Sequence, residues 1–155
     1  MTHHLGDVEA IKKLKYKYLR CVDCKLWDEM PECFTPDATT SFSGGEYSFK
    51  GIDAIMGFFK ESLTPSLVTT HHGHHPEIEL TSESTAKGIW ALEDYVIMTD
   101  ANMSLHGAAY YYDEYVKVDG EWKIKHTGYE RIYEEIWNRP DIPSLNVLQN
   151  MHAAK

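Results

Sequence analysis

Val8, Ile11, Leu14, Tyr18 and Val22 recur at three- and four-residue steps, which lays one apolar stripe along a helix. Asp7 stands where an N-cap would, with Glu9 in the first turn. Lys12, Lys13, Lys15, Lys17 and Arg20 make up the solvated side. Trp27 to Phe34 reads as a short second helix that ends before Pro36-Asp37. Ile52, Ile55, Met56, Phe58 and Phe59 mark a third, started by Gly51-Ile52-Asp53. Between these two helices the period changes. Ala38 to Phe42 and Tyr47-Ser48-Phe49 are strand-like around the turn Ser43-Gly44-Gly45-Glu46.

Beyond the third helix the runs lengthen. Thr70 to Leu80 and Thr85 to Met98 flank the polar turn Ser82-Glu83-Ser84. Met103 to Val118 and Glu121 to about Ile136 flank Asp119-Gly120, among the strongest short hairpin signals. The tail carries Pro140 and Pro143 and ends in a helical turn. The pattern predicts one α+β domain over residues 1–155. Three N-terminal helices pack on one face of a curved antiparallel sheet, around a cone-shaped apolar cavity whose lining carries the site.

The first long hairpin holds the most informative chemistry. His71, His72, His74 and His75 are four of the nine histidines. Alternation puts His71 and His75 on one face and His72 and His74 on the other, unless Gly73 marks a bulge. In an antiparallel pair the numbers of facing residues keep a constant sum, and a turn centred near Glu83 sets His71 opposite Asp94, give or take a register step. A carboxylate beside an imidazole orients the ring for proton transfer. Asp23, next to Val22 at the end of an apolar stripe, needs a partner or a function. Tyr18 is either a core tyrosine with its hydroxyl near the rim or a donor in a site.

Composition narrows the classes. No apolar run approaches the ~20 residues of a membrane span, and no basic-then-apolar leader opens the chain, so the expected location is cytoplasmic. A formal net charge of −9 argues against nucleic acid or an anionic membrane as partner. Three cysteines make no disulfide framework. Cys21 and Cys24 have metal-ligand spacing but lie on a helical pattern with only Cys33 as a further thiol, too few for structural zinc. A divalent ion on the histidine cluster competes with the acid–base reading, but four side chains divided between two faces do not converge on one ion. No phosphate loop or nucleotide fingerprint is present, and no cofactor or metal is expected.

Tyr18-Leu19-Arg20-Cys21-Val22-Asp23, Trp27-Asp28, Cys33 to Ala38 and Asp119 to Ile124 resemble the SnoaL-like branch of the NTF2-like superfamily. Within it, Glu9 to Lys12, Gly73 to Ile78, Trp90 to Asp94, Thr127 to Glu135 and Asn150-Met151-His152 resemble the bile acid 7α-dehydratases. The resemblance runs from Val8 over nearly the whole chain. It implies a homotrimer without cofactor that eliminates water from a 7α-hydroxy-3-oxo-Δ4 bile acid carried as a coenzyme A thioester. It places the functional tyrosine, aspartate and histidine on Tyr18, Asp23 and His71, a second aspartate on Asp94 and an arginine on Arg131. Two positions depart from the family pattern: Phe42 stands for a tyrosine and His72 for a methionine.

The implied chemistry needs a base for the C6 proton, an acid for the departing C7 hydroxyl and a donor for the charge gathered on the 3-oxygen. His71 would move the proton with Asp94 orienting it, Tyr18 would donate to a substrate oxygen, and Asp23 would position that network. Arg131, Phe42 and Trp90 are candidate substrate contacts. Arg131 would hold a substrate carboxylate or phosphate, or pair with Glu130, Glu134 or Glu135. An isomerase or hydratase acting on a related ketosteroid or polyketide, and a non-catalytic ligand-binding module, are the competing classes.

Overall fold

The computed structural model describes residues 2–154. The order is α1 (Thr2–Cys24), β1 (Phe34–Phe42), β2 (Tyr47–Lys50), α2 (Ile52–Ser62), β3 (Leu67–Leu80), β4 (Thr85–Met98), β5 (Met103–Val118) and β6 (Glu121–Asn138). The six strands form one sheet in the order β2-β1-β6-β5-β4-β3.

The sheet is mixed, which corrects the all-antiparallel expectation. β1 runs parallel to β6. After β2 the chain crosses by α2 to the opposite edge, and the β3–β6 meander brings β6 back beside β1 in the same sense. The third predicted helix forms as α2, and the second, predicted over residues 27–34, is absent. Only a single 3₁₀ turn forms there, Met30–Cys33, with Pro31 in its first positions. Pro31 has no N–H for a longer ladder, and Phe34 is already needed as the first strand residue. Two α-helices therefore cover the inner face, and no helix among the described residues is long and apolar enough to cross a membrane.

Alternation sets the inner face of the long strands. Thr69, His71 and Gly73 of β3 point inward, as do Trp90, Leu92 and Asp94 of β4, Ala109, Tyr111, Asp113 and Tyr115 of β5, and Thr127 and Tyr129 of β6. Against them α1 lays Ile11, Tyr18 and Val22, and α2 lays Ile55, Met56 and Phe59. A fully buried side chain of the size of Ile11 or Ile55 contributes about 1.5–3 kcal/mol.

Asp7 is not a cap, because the helix starts before it. Its carboxylate accepts from Trp122 Nε1 at 2.8 Å and pairs with Lys117 Nζ at 2.6 Å, tying α1 to the second hairpin. The β3 bulge lies between His74 and Glu77, not at Gly73. There His75 takes a positive φ of 28°, and it joins His72 and His74 on the solvent side, where neighbouring rings stack. Only His71 of the four turns inward.

Candidate active site

Asp23 is the penultimate residue of α1, and its carboxylate reaches the inner face of β3. It accepts three hydrogen bonds. Thr69 Oγ1 donates to Oδ1 at 2.9 Å and the His71 backbone N–H to Oδ2 at 2.7 Å. His71 Nδ1 lies 2.6 Å from Oδ1. An ionised carboxylate only accepts, so the ring is the donor there and Nε2 carries the free lone pair. The pair is mostly shielded, with 16% of the His71 side chain and 20% of the Asp23 side chain exposed. His152, in the tail, approaches the other side of Asp23 with Nε2 at 3.0 Å from the backbone carbonyl.

The predicted hairpin register is observed: His71 stands opposite Asp94. The predicted bond between their side chains is not. Asp94 is occupied by Arg131, whose Nη1 donates to Oδ1 at 2.5 Å and Nη2 to Oδ2 at 2.9 Å. Planar fork-to-carboxylate geometry fixes both partners, and the His71 ring bonds to Asp23 instead. Arg131 also lies 3.2 Å from Glu134 through Nε, as one of the sequence alternatives allowed. Gly107, directly between the two strands, makes the crossing possible. A Cβ there would lie 2.4 Å from Arg131 Nη1 and 3.1 Å from Asp94 Oδ1.

The Asp94 side chain is 3% exposed and Arg131 21%. Asp94→Ala, which strands a half-buried guanidinium, is expected to cost about 2–4 kcal/mol in urea denaturation. Gly107→Ala should lose a comparable share by pushing the guanidinium off its partner. A loss below about 1 kcal/mol in both would mean that the pair is weakly coupled to the fold.

A cavity of about 120 Å³ opens between the inner sheet and the helices. Tyr18 and Val22 of α1, Phe58, Phe59 and Leu63 on and after α2, and Phe42, His71, Tyr111 and Tyr129 of the sheet line it. Of the residues selected from sequence, Tyr18, His71 and Phe42 reach this lining. Asp23 backs His71, and Asp94 with Arg131 stands alongside, the guanidinium 5.0 Å from the Tyr129 ring centre. Trp90 does not reach it. Its indole is fully buried and donates to Tyr115 Oη at 3.0 Å. Phe42 stacks on Tyr129 at 5.4 Å and leaves that wall without a hydroxyl of its own. A wider groove of about 600 Å³, lined by Glu77, Glu79, Lys87 and Glu114 among others, holds none of the selected residues.

Tyr18 is 2% exposed, and burial, followed by the nearby Asp113 carboxylate, pushes its phenol well above the usual range. It keeps its proton. The rings of Tyr18 and Tyr111 meet edge to face at 6.4 Å.

Below these rings lies a network that periodicity alone did not reveal. Lys15 Nζ meets Asp113 Oδ2 at 2.7 Å, and neither side chain is exposed. Lys15 was expected in solvent with its neighbouring lysines. It sits four residues after Ile11 and three before Tyr18, which is the buried stripe itself. That spacing, and the inward parity of Asp113 on β5, were the available signals. Among the described residues no group of three or more His, Cys, Asp or Glu side chains is arranged to hold a metal ion.

The sequence matches the family model of the SnoaL-like domain over residues 3–128. The chain belongs to the SnoaL-like family. Within the NTF2-like superfamily, solved structures share the fold. A type 2 hexachlorocyclohexane dehydrochlorinase superposes with a TM-score of 0.81 at 24% identity, covering 88% of this chain and 92% of that one. A protein assigned as a scytalone dehydratase from Novosphingobium aromaticivorans gives 0.81 at 22% identity over 100% of both chains. The type 3 dehydrochlorinase from Novosphingobium barchaimii gives 0.80 at 23%, covering 88% and 93%. These likenesses carry the fold. The chemistry of this SnoaL-like domain has to come from its own residues.

Proposed function

We propose that this SnoaL-like domain is a cofactor-independent lyase that eliminates water from a 3-oxo-Δ4 steroid or bile acid bearing a 7α-hydroxyl, with a coenzyme A thioester as one form of the acid. The observation that carries the reading is His71, held by Asp23 through Nδ1 and lining the cavity that Tyr18 also lines. Nε2 takes the C6 proton while Asp23 balances the imidazolium. The electrons run through the enone to the 3-oxygen, where the Tyr18 hydroxyl donates. The imidazolium then returns its proton to the hydroxyl leaving C7. Asp94 holds Arg131, and Arg131 is the cation available to an acid or phosphate of the substrate. The names of two solved relatives, a dehydrochlorinase and an assigned dehydratase, support elimination as the class.

Size is the quantity that tests the substrate. The cavity of about 120 Å³ is far below the ~300–1,000 Å³ of typical small-molecule sites. A steroid fits inside this cavity only if a wall such as Phe58, Phe59 or Leu63 gives way, while a more open groove of about 380 Å³ lies against Asp23 and His71. The smaller volume favours a second reading, dehydration or isomerisation of a one- or two-ring hydroxyketone of polyketide type. A panel separates them. The steroid reading predicts a new long-wavelength dienone absorbance with 7α-hydroxy-3-oxo-4-ene acids, free or thioesterified. Turnover confined to one- and two-ring β-hydroxyketones would establish the second reading instead.

Activity is expected to survive exhaustive dialysis against EDTA, because no step calls on a metal. Loss in EDTA with recovery on adding zinc would contradict this. We also propose a homotrimer. Tyr110, Tyr112, Ile132 and Ile136 are exposed apolar residues of β5 and β6 that support an assembly through the sheet. A monomer mass by light scattering would exclude it.

A further inference from the structure

The mechanism uses Tyr18 but not the ion pair beneath it. A fully buried pair such as Lys15–Asp113 is a poor source of stability, since desolvation of two charges offsets their attraction and apolar replacement is often neutral or better. Asp113 Oδ1 is also left without a hydrogen-bond partner, a further cost. The arrangement does provide a floor for two tyrosines. Lys15 Nζ lies 3.4 Å from the Tyr111 ring centre and 4.7 Å from that of Tyr18. A cation on a ring face is attracted by the ring quadrupole, so one ammonium fixes both rings.

The ammonium is itself anchored. Asp113 Oδ2 also accepts from the Tyr115 hydroxyl at 2.7 Å, and Tyr115 Oη accepts from Trp90 Nε1 at 3.0 Å. Lys15 donates in addition to Thr127 Oγ1 at 3.4 Å. The floor is thus tied to β4, β5 and β6.

We propose that Lys15 and Asp113 are positioning residues that hold the Tyr18 ring, packed against Tyr111, so that the Tyr18 hydroxyl is a fixed donor at the cavity wall. This rests on the reading of Tyr18 as the donor to a substrate oxygen. Donors fixed in advance stabilise developing charge without reorganising when it appears, and a loose donor does not. The Asp113 charge also opposes ionisation of Tyr18 and keeps it a donor.

The test is the double variant Lys15→Met/Asp113→Asn, which removes both charges, keeps similar volumes and leaves an amide oxygen for Tyr115. Turnover of the 7α-hydroxy-3-oxo-4-ene steroid is expected to fall about ten-fold or more with KM within about two-fold of wild type and no loss of melting temperature. In a Tyr18→Phe background the same pair of changes should cost nothing further, because the hydroxyl that donates to the substrate oxygen is gone. Equal losses in both backgrounds, or unchanged kcat in the double variant while Tyr18→Phe is slow, would overturn the proposal and leave the role of Tyr18 intact. Wild-type turnover in Tyr18→Phe would overturn the role of Tyr18 and the proposal with it.

A readout without substrate stands beside this. 3-Fluorotyrosine at position 18 should give one narrow fluorine resonance in the native chain and a broadened or split one in the double variant. An unchanged line would contradict the positioning role. If the double variant does not fold, Tyr115→Phe removes only one hydroxyl from Asp113 and is put through the same cycle and the same fluorine measurement. It is expected to lose about three-fold or more in kcat, and only where Tyr18 is present; no loss, or a loss in both backgrounds, counts against the proposal.

Discussion

Asp23→Asn is expected to lower kcat by about 10³–10⁴-fold while the protein remains folded. The reason lies in the three hydrogen bonds that the carboxylate accepts. An amide can be placed in two ways. With its oxygen at the Oδ1 position, the amino group meets the His71 backbone N–H, donor against donor. With its oxygen at the Oδ2 position, the amino group faces Nδ1 and forces the proton onto Nε2, the wrong tautomer for a base. Either way the imidazolium that forms during proton transfer loses its counter-charge. Near-native turnover in this variant, measured by dienone absorbance, would mean that Asp23 only secures the end of α1. Asp94→Asn should act differently, through Arg131 and stability rather than through the tautomer of His71.

Tyr18→Phe carries the second largest effect. The substitution keeps the ring and its edge contacts with Phe34, Phe59 and Tyr111, so melting temperature should barely change. If the hydroxyl donates to the oxygen that gathers charge, kcat falls by about 10²-fold or more. Binding of a product-like dienone should persist, because apolar walls supply most of that affinity. Unchanged turnover on the true substrate would make Tyr18 a core residue and leave His71 and Asp23 to account for the rate.

The strands were legible because their signals are local. Asp119-Gly120 and the polar turn at Ser82–Ser84 set both long hairpins, and the constant-sum rule set His71 opposite Asp94 within one register step, which is the pairing that forms. What the rule could not show is which side chain a neighbour prefers. Arg131 comes from β6, two strands away from β4, and reaches Asp94 only because Gly107 of the intervening β5 has no side chain. Asp23 comes from a helix, so its meeting with His71 depends on tertiary packing that no period encodes. Tyr18 and Asp23 were readable as candidates from their place on the α1 stripe. Lys15 was readable as well, but its charge weighed against its position, and only a buried carboxylate on β5 lets the position win. The missing helix at residues 27–34 has a plainer cause, since one proline and a strand starting at Phe34 leave room for a single turn.

The central claim is that His71 Nε2 removes a proton from a carbon acidified by a distant ketone. A 3-oxo-4-ene steroid lacking the 7-hydroxyl has the acidic proton and no leaving group, so incubation in D₂O isolates that step. Deuterium should appear at C6 with the native chain in EDTA, and no faster than the uncatalysed exchange with His71→Ala. Exchange at the same rate in both proteins would contradict the assignment of His71 as the base. Absence of exchange in the native chain, under conditions where the 7α-hydroxy compound is dehydrated, would contradict the order of proton transfer before hydroxyl departure.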